Sequence, residues 1–320
     1  MMNKKTICIF GGTGFLGRTI TKSLARLGYH IKIATRMPQS ACFLKPYGDI
    51  GQIVSVQCDY NKESIEKAIG NCDTVINLVG ILFEKRKNKF TRVHTHFPKM
   101  IAEICREKKI KFFIHVSALG CNKSLSKYAL SKLKGENIVL EIFPNSVILR
   151  PSIVFGSDDS FFNMFAKLSM FLPFFPLIGG GKTKFQPVYV GDIAKAVSHI
   201  LEDKLPAGIK AQGHIFELGG PDVESFKELY QRLFREIGRK RLLIPISFGV
   251  AIIQAFFMGL APKPMLTIDQ VESLKTDNIV SKDALTLYNL NVSPTPMDMI
   301  LPTYLVCYKK GGRMGNNKKA

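Results

Sequence analysis

Residues 7 to 17 read Ile7-Cys8-Ile9-Phe10-Gly11-Gly12-Thr13-Gly14-Phe15-Leu16-Gly17, a short apolar run that breaks into glycines at 11, 14 and 17. A helical pattern from Thr19 to Leu27 follows and stops at Gly28, and a second apolar run covers Ile31 to Ala34. Strand, glycine turn, helix and strand within about thirty residues are the setting that a dinucleotide fingerprint requires. Gly11 permits the tight turn, Gly14 lets the backbone approach a pyrophosphate, and Gly17 lets the helix pack on the strand. The free N–H groups of the helix start face the anion. The end of the second strand selects the cofactor. An acid there would bind the ribose hydroxyls of NAD, but the sequence reads Ala34-Thr35-Arg36. Arg36 suits a 2'-phosphate, so NADP is expected over NAD.

Working outward, the alternation continues. Ile53 to Val56 reads as a strand ending in Cys58-Asp59, Ser64 to Ile69 as a helix, and Thr74 to Val79 as a strand closed by Gly80. Pro98 to Glu107 reads as a helix, and Phe112 to Val116 and Val147 to Leu149 as further strands. Unbroken apolar strands alternating with helices indicate an α/β fold, a doubly wound parallel sheet covered on both faces with its ligand at the carboxyl ends of the strands. That geometry puts Asp59, Gly80, Ser117 and Pro151 on the ligand side. A nucleotide-binding domain is expected over residues 1–156, its sheet completed by segments near 185–220. A smaller, partly interleaved α/β domain is expected over 157–308, with a basic tail at 309–320.

Tyr128 and Lys132 stand four apart on one helical face. A nearby ammonium would stabilise tyrosinate and lower the phenol pKa toward a range useful for proton transfer. Two exposed helix residues would explain the same spacing in isolation.

The chain has 320 residues, and 45 Lys+Arg against 25 Asp+Glu leave +20 with histidine neutral. A hydrophobic content of 46% with 22% charged residues excludes a disordered chain. The basic excess is spread along the chain and is permissive of anionic partners rather than diagnostic of nucleic acid, which is not expected. The seven cysteines are scattered without a CxxC pair, which argues for reduced thiols. His94 and His96 have no cysteine or acid at ligand spacing, so no metal is expected. The first residues run straight into an apolar strand without a signal region, so export is not expected.

Gly11-x-x-Gly14-x-x-Gly17, Asp59, Asn77-Leu78-Val79-Gly80, Tyr128-x-x-x-Lys132, Arg150-Pro151-Ser152-Ile153-Val154-Phe155-Gly156 and Val188-Tyr189-Val190-Gly191-Asp192 together resemble the extended and atypical short-chain dehydrogenase/reductases. The resemblance covers roughly residues 5 to 235. His115 to Gly120 and Phe185 to Val190 are most similar to the branch of NAD(P)H-binding accessory subunits of respiratory complex I, which hold NADPH without an established turnover. The resemblance implies pyrophosphate contacts from Gly11, Thr13, Gly14, Phe15 and Leu16, with Gly17 in the same motif. It further implies that Arg36 holds the 2'-phosphate, Asp59 the adenine, and Tyr128 and Lys132 the nicotinamide ribose. Val79, Gly80, Ser117, Pro151 and Ile153 complete the implied cofactor-binding set. Active members carry Ser or Thr two residues beyond the position of Ser117, where this chain has Leu119. Losing that carbonyl-polarising group would cost catalysis and leave cofactor binding intact, unless Ser117, Ser124 or Ser126 substitutes.

In the second half, Phe161 to Ile178 is rich in phenylalanine, which suits core packing or an apolar docking surface. Leu242 to Leu260 holds no charged residue but is interrupted by Pro245 and Gly249. A buried helix, a surface that docks on a membrane or partner, or a membrane span would each account for it. The expected function is an NADP(H)-binding accessory subunit or assembly factor of respiratory complex I, or of another membrane-associated quinone-related complex, with peripheral contact to anionic lipid. The expected location is cytoplasmic, on the inner face of the energy-transducing membrane. Two alternatives stay open: an active NAD(P)-dependent epimerase, dehydratase or reductase on an apolar or sugar-type carbonyl, and an enzyme-inactive redox sensor that binds NADP to regulate a soluble partner.

Overall fold

The structure, a computed structural model, describes residues 5–85, 88–259, 261 and 264–312. Six strands follow the apolar runs of the first half: β1 (Thr6–Phe10), β2 (His30–Thr35), β3 (Ile53–Gln57), β4 (Thr74–Asn77), β5 (Phe112–Val116) and β6 (Val147–Pro151). Short strands β7 (Val154–Phe155), β8 (Phe174–Ile178), β9 (Lys184–Phe185) and β10 (Val188–Tyr189) precede β11 (Ile215–Leu218), β12 (Glu224–Ser225) and β13 (Leu242–Ile246). The helices are α1 (Phe15–Arg26), α2 (Lys62–Ile69), α3 (Phe97–Glu107), α4 (Lys127–Ile142), α5 (Phe161–Ser169), α6 (Val190–Leu201), α7 (Phe226–Glu236), α8 (Phe248–Met258), α9 (Ile268–Ser273) and α10 (Met297–Leu305).

Seven strands form one parallel sheet in the order β11-β6-β5-β4-β1-β2-β3. Alternate residues serve opposite faces, as a period of two demands. Ile7, Ile9, Ile31, Ile33 and Ile114 pack with Ile20 and Leu24 of α1 and Ile193 and Val197 of α6. Cys8, Phe10, Val75, Phe113 and Ile148 pack with Ile65 and Ile69 of α2, Ile101 and Ile104 of α3, and Val139 of α4. Both faces are therefore dry, which is why the strands read as unbroken apolar runs. Strand order reverses between β4 and β1, and the crevice at their carboxyl ends is where this topology receives ligands.

A second core lies beyond the sheet. Phe162, Phe175, Leu177, Phe226, Leu233 and Leu301 bring α5, β8, α7 and α10 together. Of the aromatic stretch, Phe162 and Phe175 serve core packing, whereas Phe171 and Phe174 are exposed. The expectation of one buried helix for Leu242 to Leu260 is corrected. Leu242 to Ile246 pair with β8 as a strand, and α8 starts after Ser247, whose side chain accepts from the Val250 amide. Of α8, Ala251 and Ala255 are buried, while most of its large side chains stay exposed. No helix among the described residues is long and apolar enough to cross a membrane. The tail is described only to Gly312; residues 313–320, like Leu260 at the end of the apolar run, lie outside the described residues.

Candidate functional site

The glycine turn sits at the strand-order reversal. Gly11 adopts φ +80°, and a Cβ there would lie 3.1 Å from the Leu78 carbonyl carbon and 3.2 Å from the Val79 nitrogen. The turn after β1 and the Leu78-Val79-Gly80 segment after β4 are therefore pressed together without room for a side chain. Gly17 is tighter, for its Cβ would stand 2.2 Å from the Gly11 oxygen. Gly14 caps α1 without a side-chain hydrogen bond, and the first turn holds no acid. The amides of Phe15 and Leu16 at this helix start can meet an anion. Thr13 and Phe15 are half-buried at this turn, and Leu16 packs against the core beneath it. A Cβ on Gly156 would lie 3.2 Å from the Phe15 ring, so the segment after β7 closes one side of the turn. Arg18, on the same helix, pairs with Asp158 at 3.0 Å.

Arg36 and Asp59 stand exposed beyond the ends of β2 and β3. The Asp59 amide donates to the Ser64 hydroxyl, which fixes the backbone and leaves the carboxylate outward. The guanidinium of Arg36 lies 5.4 Å from the Tyr60 ring centre, and that of Arg92 lies 5.1 Å from the same ring. Two cations thus share one aromatic ring beyond the strand ends, and among the described residues neither is in an ion pair with a carboxylate. Arg92 was missed in the sequence because it lies in a π-helical turn, Thr91–His96, far along the chain. The basic residue in Thr91-Arg92-Val93-His94 after a predicted strand was the only signal available.

At the other end of the crevice, Lys132 Nζ donates to the Val116 carbonyl at 3.0 Å. A Cβ on Gly80 would meet that amine at 3.3 Å. Ser117 follows on β5's exit, buried, with its hydroxyl 3.8 Å from Cys121 Sγ. Pro151 ends β6 and accepts from the Leu119 amide at 2.9 Å. Ile153, just beyond, gives its carbonyl to the Val188 amide at 2.9 Å and packs toward the second core. Tyr128, half-buried, is edge-on to His94 at 5.5 Å.

The expected lowering of the Tyr128 pKa by Lys132 does not hold in the protein alone. Burial pushes the phenol up to about 12, with the nearby Cys121 adding to it. Burial pushes the Lys132 ammonium down to about 8, although Cys121 and Glu136 favour its charge. The amine spends its hydrogen bond on a backbone carbonyl, so desolvation outweighs mutual stabilisation. His94 is no ligand-like group either. Its Nε2 accepts from the Ile81 amide at 3.0 Å, its Nδ1 meets Ser131 Oγ at 2.9 Å, and burial holds its pKa down at about 3. A neutral imidazole here braces Gly80's segment against α4. Among the described residues no group of three or more His, Cys, Asp or Glu side chains gathers to hold a metal.

The surroundings of Leu119 are closed. Leu119 is buried, and its carbonyl accepts from Asn278 Nδ2 at 2.7 Å. Asn278 also holds Ser152 Oγ, through its side-chain oxygen, at 2.6 Å. Ser126 is committed to capping α4, where it accepts from Ala129, and Ser124 hydrogen-bonds Ser126. Both serines thus spend hydrogen bonds on the start of α4. Asp269 accepts from the amides of Lys127 and Tyr128 at 2.6 and 3.0 Å. The C-terminal half thus reaches over the Tyr128 end of the crevice through two residues that the sequence did not single out.

The model of the "NAD dependent epimerase/dehydratase family" matches residues 7–219. A curated relative from Arabidopsis thaliana, "NADH dehydrogenase [ubiquinone] 1 alpha subcomplex subunit 9, mitochondrial", is 34% identical over 317 residues, covering 95% of this chain and 78% of its own. Its Mus musculus counterpart is 36% identical over 296 residues, covering 91% and 77%. Among solved structures, an NADPH-dependent quinone oxidoreductase from Escherichia coli, complexed with NADPH, superimposes with a TM-score of 0.71 at 18% identity. That match covers 93% of this chain and 98% of the other and speaks for the shared fold.

Proposed function

The chain belongs to the NAD-dependent epimerase/dehydratase family, and on that premise we propose that it is an NADP(H)-holding accessory subunit of a respiratory NADH:quinone oxidoreductase, with little or no turnover. The single observation that carries the reading is the pairing of an intact dinucleotide cradle with Leu119 in the place of the polarising hydroxyl, its backbone tied to Asn278. A site of this kind binds the cofactor and lacks a hydroxyl at the Leu119 position to polarise a substrate carbonyl, which weakens the electrostatic contribution that usually dominates such chemistry. The names of the relatives support the partner, since they are NADH dehydrogenase subunits.

Bound in the crevice, the cofactor would supply hydride chemistry; the protein's own groups position it. The backbone from Gly11 to Leu16 receives the pyrophosphate, and Arg36 with Arg92 receives the 2'-phosphate over Tyr60, which favours NADP over NAD. Asp59 faces the adenine side, Val79, Gly80, Ser117, Pro151 and Ile153 border the nicotinamide end, and Tyr128 and Lys132 hold the ribose. The intact Tyr128 and Lys132 favour one second reading, a working reductase or epimerase.

The membrane-facing location and a peripheral contact with anionic lipid belong to the same proposal. Affinity purification from gently solubilised native membranes is expected to bring down subunits of the respiratory complex. A soluble monomer that captures no partner would contradict the proposal.

A further inference from the structure

The second core carries a surface for which the nucleotide site has no use. A shallow cleft, open to solvent, runs between α7 and β13. Lys227, Arg235, Arg239, Lys240 and Arg241 line it. Among the described residues carboxylates reach only Arg235, with Glu236 at 3.8 Å and Asp298 at 3.7 Å. Among the described residues the other four cations have no ion pair. Backbone carbonyls fix two of them in place, Tyr308 for Arg239 and Ser169 for Arg241.

The cleft opens onto apolar surface. Leu242 lines the cleft and starts β13, where the parallel register sets it beside Phe174 and sets Ile244 beside Pro176. Neighbours in register share a face, so Phe174, Leu242 and Ile244 project from one side of this small sheet. All three are exposed, Leu242 by 66%, and Phe171 in the preceding turn is 76% exposed. The chain then enters α8, which has no charged side chain. Val250, Ile253, Phe256 and Phe257 lie along one side of it at helical spacing, all exposed. Surfaces that lie on membranes combine phenylalanine and leucine with lysine and arginine, the composition gathered here.

We infer that this cleft and its apolar rim dock on an anionic phospholipid bilayer. The cations receive phosphodiester headgroups, and Phe171, Phe174, Leu242 and the outer side of α8 settle at the acyl boundary. Neither signal suffices alone, since stable peripheral anchoring takes an apolar and an electrostatic component together. The inference deepens the accessory-subunit reading and rests on it only for the membrane's presence.

Co-flotation of the full chain with phosphatidylcholine vesicles, with and without phosphatidylglycerol, tests it. Binding is expected only with the anionic lipid and is expected to fall with salt. Lys227→Gln with Lys240→Gln should weaken it about 25-fold, at about fivefold per cation near such a surface. Leu242→Ser with Phe257→Ser should weaken binding without altering its salt slope. Dinucleotide binding by the variants reports that they are folded. Equal binding to neutral vesicles, an unchanged lysine variant, or release by inorganic phosphate beyond that by chloride of equal ionic strength would overturn the inference. So would capture of a protein partner without any vesicle binding. Because the isolated chain is used, failure here leaves co-purification with the respiratory complex standing, and failure there leaves this result standing.

Discussion

Arg150→Ala is expected to cost about 3–5 kcal/mol of folding stability, read as a shift in the denaturant midpoint at unchanged slope. Arg150 lies at the end of β6 with its guanidinium against two carboxylates. Nε and an Nη meet Glu136 at 3.1 and 2.5 Å, and the other Nη meets Glu217 at 3.3 Å. Arg150 is 8% exposed, Glu136 0% and Glu217 4%. Removing the cation leaves two buried carboxylates facing one another, and the penalty is that of uncompensated charge rather than of lost contacts. Glu136 belongs to α4, the helix of Tyr128 and Lys132, and Glu217 to β11, so the trio ties the cofactor-facing helix to the sheet's last strand. Arg150→Met combined with Glu136→Gln and Glu217→Gln is expected to recover most of the loss. A loss under about 1 kcal/mol in the single variant would sink this account of the network.

Gly17→Ala carries the second large effect. The new Cβ would fall 2.2 Å from the Gly11 oxygen and 2.6 Å from Gly12 Cα, both backbone atoms that cannot rotate away. Either α1 or the turn must move, at about 3 kcal/mol or more, and the helix N-terminus leaves its alignment with the pyrophosphate. Dinucleotide affinity, followed by NADPH fluorescence, should drop at least about 100-fold. Gly14→Ala is the instructive contrast. Its Cβ would touch the Gly11 oxygen at 3.3 Å at ordinary φ, so the fold survives while the methyl group stands where the phosphate should approach. A Gly17→Ala protein that folds and binds NADPH normally would refute the packing role assigned to that glycine.

Legibility in the sequence followed the range of the interactions. The glycine turn could be read because most of its constraint is local: Gly14 and Gly17 answer the backbone of Gly11 and Gly12 within the same turn, although Gly11 itself faces Leu78 and Val79 after β4. The strands could be read because burial on both faces leaves no polar alternation. The spacing of Tyr128 and Lys132 was visible, but their charge state was not. It depends on the Val116 carbonyl and on burial by elements distant in sequence. Arg92 joins Arg36 only through Tyr60, which no local pattern announces. Asn278 and Asp269 reach Leu119 and Tyr128 across 159 and 141 residues. The run from Leu242 to Leu260 concealed two elements because strand and helix share an apolar composition there. Ser247, a helix cap just after Pro245, was the signal that separates them.

The account stands on a cofactor that is held and not consumed. Mass spectrometry of the nucleotide retained by the chain after gentle purification, repeated after mixing the holoprotein with quinones and carbonyl compounds, addresses that most directly. NADPH retained and still reduced afterwards is the expected result, with retention lost in the Arg36→Ala, Arg92→Ala protein. NADPH that any of these compounds oxidises over many turnovers would contradict it and make the chain a working reductase, and retained NADH would overturn the assignment of Arg36 and Arg92 to a 2'-phosphate.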